Sequence, residues 1–467
     1  MLFNSVEFLL FYLAVLALYY GLAPTGAWRL RKLVLLAASV LFYMSWDPAF
    51  VPLLGFMTAL VFVAALGVTG ADAPRPKRIW LTLGVGSSLA ILGYFKYRAF
   101  VLENLSGLGF RLDPRALSVV LPLGISFYTF HAISYLVDVY RGRVAASRNF
   151  FDVALYIAFF PQLVAGPIAR ASQFLPQLAE RRRLSSDVVD RALMLIALGL
   201  FKKVACADVL GEYVDEVFKN VSGYPGLNLA VAAYAYAFQI YFDFSGYSDM
   251  AIGFAALLGL QLPINFRLPY VAQNPSEFWQ RWHISLSTWL RDYLYIPLGG
   301  NRRGRARTYA NLMITMVLGG LWHGPAWNFV AWGTYHGALL SGHRWWTERR
   351  GASERPVDAR WRVLARRCVM FHLVCAGWVL FRANSAADIA AYFRGIVQPG
   401  LALSPTFTRA ALWSALAFVA HQLCAERDLG LRFLRMPPLV QATAYAAVAV
   451  LVFLFSPGTQ RFIYFQF

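Results

Sequence analysis

The stretch GGLWHGPAW, residues 319–327, sets His323 between Trp322 and a Gly-Pro pair, with apolar runs on both sides. Gly324 and Pro325 break a helix there and leave backbone groups without helical partners. A neutral imidazole at such a break can take a proton from an incoming hydroxyl, which is the work of a general base. Trp322 and Trp327 could wall a pocket around it. A histidine packed between two tryptophans is the competing reading, and the bare residues leave both open. His283 in FWQRWHISLSTWL lies on the apolar side of its segment, so contact with water does not explain it. It could bond a neighbouring carbonyl or reach into a site. His131 and His336 fall inside apolar runs, where an ionisable group is costly and is a functional candidate by default. A neutral, hydrogen-bonded histidine remains the plainer account of those two. His343, His372 and His421 read as structural.

Other chemistries lack their residues. Pairing His283 with His323 on a metal would need further ligands, and no HExxH, helically spaced acid or Cys ligand supplies them. Cys206, Cys368, Cys375 and Cys424 form no CxxC pair and read as small buried hydrophobes. No GxSxG elbow, phosphate-binding loop or dinucleotide fingerprint appears in a strand–helix context. A covalent serine nucleophile is not indicated, and no bound cofactor or metal is expected.

The elements that must hold these histidines are membrane helices. Of 467 residues, 59% are hydrophobic and 14% charged, against about a quarter charged in soluble domains. Apolar runs of the length that crosses a bilayer recur throughout, as at 6–22, 49–68 and 439–456. The net charge of +19 lies in short loops between these runs, as expected of loops facing the cytoplasm, so nucleic acid is not an expected partner. The first apolar run has Glu7 at its start and its basic residues after it, the reverse of a cleaved signal peptide. We expect one all-α polytopic domain over 1–467, with about 11 transmembrane helices plus re-entrant and interfacial pieces.

Three segments depart from simple spans. DFSGYSD at 243–249 puts two Asp residues in a long apolar run and predicts a broken or re-entrant helix. FFPQLVAGPIAR at 159–170 reads the same way. An acid-rich loop with Glu212, Asp215 and Glu216 is expected outside, and Trp46-Asp47-Pro48 marks a hairpin. The segment from 274 opens with helix-start chemistry: Asn274 as cap, Pro275 at the first position, Glu277 three residues after the cap. At 100° per residue, Trp279, Trp282, His283, Leu286 and Leu290 share one face and Arg281, Ser285, Thr288 and Asp292 the other. This predicts one amphipathic helix at the cytoplasmic interface, ended by Pro297, Gly299 and Gly300.

Taken together, FWQRWHISLSTWLRDYLYIPLGGNR (278–302) and LGGLWHGPAWNFVAWGTYHG (318–337) resemble the membrane-bound O-acyltransferase family. QIYFDFSGYSDMAIG, LPLGISFYTFHAISYLVDVYRG, FPQLVAGPI and the closing RFIYFQF match its bacterial branch of alginate O-acetylation and D-alanyl transfer proteins, the alginate type more closely. The resemblance implies a fold with a central tunnel. It places the family's two marked histidines on His283 and His323, with His323 the essential one deep in the membrane. It implies an acyl thioester donor, expected to be acetyl-CoA, entering from the cytoplasm. The acetyl group would pass to periplasmic acetyltransferase partner proteins and onto an exported polysaccharide, alginate first, at the bacterial inner membrane. Another surface polymer such as peptidoglycan or cellulose is the alternative acceptor. A non-catalytic transporter of an acetyl carrier is the reading from a different class. Trp282, Arg302, Arg303, Trp322 and Asn328 are the candidate substrate contacts, although Arg302 and Arg303 read equally well as positive-inside anchors.

Overall fold

A computed structural model describes residues 1–22, 28–110, 119–180, 184–350, 359–425, 429–455 and 462. Every regular element among them is helical. Three helical stretches, Pro48–Gly70, Pro74–Gly107 and Arg360–Arg382, are long and apolar enough to cross a membrane, and Val6–Gly21 and Pro438–Leu454 are shorter apolar helices. Apart from Phe462, the closing RFIYFQF lies outside the described residues.

The described residues group into two compact units. The first comprises Met1–Ile196 and Met250–Pro263. It holds α1 (Val6–Gly21), α2 (Trp28–Met44), α3 (Val51–Gly70), α4 (Pro74–Leu92), α5 (Arg98–Gly107) and α6 (Ile125–Tyr140). Then come α7 (Phe150–Ala158), α8 (Phe160–Leu163), α9 (Ala171–Phe174) and α10 (Ser186–Leu200), whose end enters the second unit. The Trp46-Asp47-Pro48 hairpin is present: Asp47 Oδ1 accepts from the Ala49 N–H at 2.9 Å between α2 and α3. The 159–170 stretch is irregular, as its prolines predict, and Phe160–Ala169 is buried throughout. Gly166 permits this fold, because a Cβ there would stand 2.4 Å from the Gln162 Cα. His131 is fully buried in this unit, its ring 5.5 Å from that of Tyr156.

The second unit comprises Ala197–Asp249 and Ile264–Phe467. Its helices are α11 (Val209–Lys219), α12 (Gly226–Leu257), whose end from Met250 belongs to the first unit, α13 (Pro275–Arg281), α14 (Ile284–Leu290), α15 (Arg305–His323) and α16 (Trp327–Arg350). After them run α17 (Arg360–Arg382), α18 (Ala386–Gly395), α19 (Pro405–Cys424), α20 (Leu429–Leu434) and α21 (Pro438–Leu454).

Three expectations are corrected here. DFSGYSD does not break its helix: α12 runs unbroken through 243–249. The carboxylates, Asp243 buried and Asp249 half-buried, are met by cations instead, Asp243 by Lys203 at 2.7 Å and Asp249 by Lys202 at 2.6 Å. The irregularity falls on the partner strand of chain, where Phe201–Asp208 winds as a π-helix carrying both lysines. Likewise, Glu212, Asp215 and Glu216 sit on α11 rather than in a loop.

The third correction concerns the amphipathic segment. Its start is as expected: Asn274 Oδ1 accepts from the Glu277 N–H at 2.9 Å, and Glu277 Oε2 accepts from the Gln273 N–H at 2.9 Å. The helix then stops at Arg281, because His283 adopts a left-handed conformation with φ of 42°. A second helix, α14, begins after it and ends in a π turn over Arg291–Tyr295. The break changes which residues face inward, and Ser285, assigned to the polar face, is buried.

Candidate active site

Glycines bring α15 and α16 to backbone contact. A Cβ on Gly320 would lie 2.2 Å from the Phe329 carbonyl oxygen, and one on Gly333 would lie 2.4 Å from that of Met316. This small-residue packing is a membrane-helix device. The two helices meet in the Gly324–Ala326 turn, with Gly324 in extended conformation, so His323 closes α15 at the break. Its ring is 4% exposed and stands 5.0 Å from those of Trp322 and Trp332 and 5.2 Å from that of Phe381.

His323 lines a cavity of about 220 Å³. Gly319, Met316, Thr315 and Leu312 continue its wall down one face of α15. Eleven residues of α-helix separate Leu312 from His323, a distance of about 16 Å. Leu286, Ser287 and Leu290 of α14 form a second wall, and Trp279, Trp332 and Leu340 complete it. Its far part carries Arg291 and Tyr295 from the π turn. Arg291 Nε pairs with Asp292 Oδ1 at 2.8 Å, and its side chain is 60% exposed. The Tyr295 hydroxyl donates to Asn301 Oδ1, which also accepts from Arg344 at 3.1 Å. An imidazole, apolar walls, a cation and a phenol thus line a single cavity. Such walls exclude water and strengthen any charge interaction inside.

The other sequence candidates divide. Trp322 packs between the two histidines, its ring 5.0 Å from His323 and 6.0 Å from His283. Trp327 is 65% exposed and does not line the cavity, while Trp279, placed on the apolar face in the sequence, and Trp332, passed over there, do. His283 is fully buried but is not among the cavity-lining residues, and its ring meets Phe244 edge-on at 4.6 Å. Its link lies outside the candidate spans, and burial pushes its pKa down to about 3, so it is neutral. Trp282 is buried in an aromatic cluster with Trp378, at 4.8 Å, and Phe266, at 5.0 Å. Asn328 Nδ2 donates to the carbonyls of Phe381 and Ala383, at 3.3 and 3.2 Å, and so caps α17. Arg302 and Arg303 are exposed on the turn before α15 and do not line the cavity. His336 is buried against Trp332 and Trp279, His372 bonds Tyr234 and the Cys368 carbonyl, and His421 bonds the Ala417 carbonyl. No group of three or more His, Cys, Asp or Glu among the described residues could hold a metal ion.

Sequence reasoning missed Arg291 and Tyr295. They sit in a π turn, and a 3.6-residue period assigns faces wrongly where the helix widens.

The membrane-bound O-acyltransferase family model matches residues 143–381. "Probable alginate O-acetylase AlgI" of Pseudomonas putida is 43% identical over 392 residues, 82% of this chain and 78% of that protein. The "Peptidoglycan O-acetyltransferase" of Helicobacter pylori is 36% identical over 427 residues, 85% of this chain and 80% of that protein. The "Teichoic acid D-alanyltransferase" of Bacillus subtilis is 26% identical over 268 residues, 56% of this chain and 68% of that protein.

Proposed function

Because this chain belongs to the membrane-bound O-acyltransferase family, we propose that it O-acetylates an exported polysaccharide from a thioester donor. The donor is acetyl-CoA or a like thioester, used as a substrate from the cytoplasmic side. The chain crosses the bacterial inner membrane many times. The acceptor is alginate, reached through periplasmic acetyltransferase partners. The observation that carries this reading is His323, held at a helix break on the wall of an otherwise apolar cavity.

The steps balance without a bound group. His323 takes the proton of an acceptor hydroxyl, and the oxygen attacks the thioester carbonyl. The C–O bond forms, the C–S bond breaks, and the leaving thiolate takes up a proton. Confinement between α14 and α15 supplies orientation, worth several powers of ten when two reactants are held in line. His283 is the second proposed catalytic residue. It stands beyond Trp322, the ring adjoining His323. Trp282, Trp322, Arg302, Arg303 and Asn328 remain candidate contacts, and Arg291 and Tyr295 now join them. Peptidoglycan is the second acceptor, favoured by the Helicobacter pylori relative.

The test is His323→Ala and His323→Gln in the native host, reading O-acetyl ester on the exported polymer beside protein level in the membrane. Loss of ester by at least about 10²-fold at normal protein level supports the base. Near-normal ester in both variants overturns it and favours a transporter of acetyl carrier, which needs no base.

A further inference from the structure

Asn265 holds a position that the sequence did not single out. It is 1% exposed, and four groups converge on its side chain. Its Oδ1 faces the Ser285 backbone N–H at 3.2 Å, the Ser285 hydroxyl at 2.9 Å and His283 Nδ1 at 3.1 Å. Its Nδ2 donates to the Ser248 hydroxyl at 3.2 Å. The Asn265 main chain joins in, its carbonyl accepting from the Ile284 N–H at 2.9 Å.

These contacts determine a proton position. A backbone N–H can only donate, so the atom facing Ser285 N must be the amide oxygen and the opposite atom the NH₂. An amide oxygen can only accept, so His283 Nδ1 must carry a hydrogen. A neutral imidazole has one, and Nε2 is then left with a bare lone pair. Nε2 is buried and has no hydrogen-bond partner among the described residues. Its surroundings are the rings of Phe244, Phe266 and Trp322. The left-handed backbone of His283, a strained choice for a residue with a Cβ, turns the imidazole to this orientation.

We infer that Asn265 is a positioning residue that locks His283 in the Nδ1–H tautomer, so that Nε2 accepts a hydrogen bond from a substrate O–H or N–H. Ser285 sets the amide orientation and Ser248 props its far side. This rests on the proposed part of His283 in the reaction. An acceptor-only nitrogen fits a hydroxyl or amide N–H of the substrate pair and does not fit a bare anion.

The test uses the full chain with ¹⁵N-labelled histidine in lipid nanodiscs, His283 signals being identified by their loss in His283→Gln. Wild type is expected to show Nδ1 protonated and Nε2 bare. Asn265→Ala should lose that single-tautomer signature. In the native host it should lower O-acetyl ester per unit of membrane protein by about 10²-fold. Asn265→Asp, which keeps an oxygen toward Ser285 and His283, should restore much of the signature and the ester relative to Asn265→Ala. An Nε2–H tautomer in wild type overturns the inference, even where Asn265→Ala fails to accumulate. So does an Asn265→Ala variant with unchanged tautomer and ester while His283→Gln has lost its ester. Normal ester in His283→Gln overturns instead the assignment of His283 to the reaction, and the positioning role with it.

Discussion

Adjacent glycines in GGLWHGPAW have opposite roles. Gly319 lines the cavity one turn before His323, and a Cβ there would reach 3.1 Å from Leu290 Cδ1 across it. Gly320 faces the other way, into the Phe329 carbonyl of α16 at 2.2 Å. A side chain at Gly319 therefore narrows the passage, whereas one at Gly320 prises two helices apart. Overpacking a tight site costs about 1–3 kcal/mol, and backbone oxygen cannot yield as a leucine methyl can. We predict that Gly319→Val lowers polymer O-acetylation by about tenfold or more while the protein accumulates normally, and that adding Leu290→Ala recovers part of it. Gly320→Ala should lower the amount of folded protein instead. Quantified ester against detergent-extracted, monodisperse protein separates the two. Equal losses of folded protein in both variants would remove Gly319 from the site.

At the scale of the element, the legible features were those with local chemistry. The Asn274–Pro275–Glu277 start was readable because a cap acts within one turn, and the α15 break because Gly-Pro cannot continue a helix. The continuity of α12 was not readable: Asp243 and Asp249 look helix-breaking until Lys203 and Lys202 are brought to them. Nor was the break at His283, where a cap-to-glycine pattern gave no sign of a left-handed residue between two helices. Lys203 is the centre of the first group, bonding Asp243 at 2.7 Å and Asp208 at 2.8 Å. Removing one partner of a buried pair costs about 3–5 kcal/mol, since the other charge is left uncompensated. Lys203→Met strands two carboxylates and should lower the melting temperature of the purified protein sharply. Asp243→Asn leaves Lys203 paired with Asp208 and should lower it far less. Adding Asp243→Asn to Lys203→Met should return part of the loss. A double variant no more stable than Lys203→Met would mean that the lysine acts by packing, not by charge.

At the scale of the second unit, charge has a direction that the site shares. Arg305, Arg344 and Glu348 join the start of α15 to the last turns of α16, next to the exposed Arg302 and Arg303. At the opposite ends of these helices, Asn328 caps α17, and Arg382 at the end of α17 pairs with Asp215 of α11 at 2.8 Å. Glu212 on the same helix pairs with Arg409. One end is thus crowded with arginine and the other holds the acidic helix. Nineteen residues of α15 span about 28 Å, close to the hydrocarbon thickness of about 30 Å. If α15 crosses the membrane, as the proposed function requires, the basic end belongs in the cytoplasm and His323 lies near the far leaflet. Arg291 and Tyr295 lie toward the basic end, since Tyr295 reaches Asn301. A donor entering there would carry its acyl group along the cavity to His323, where an outside acceptor could meet it. The prediction is a labelling pattern. In a variant with its four cysteines replaced, Arg303→Cys should react with a membrane-impermeant maleimide only in opened cells, and Glu212→Cys in intact ones. The exchanged pattern, Arg303→Cys labelled in intact cells and Glu212→Cys only in opened ones, would reverse the orientation of α15 and the direction in which the acyl group travels, and labelling of both from one side would place the two ends on the same face.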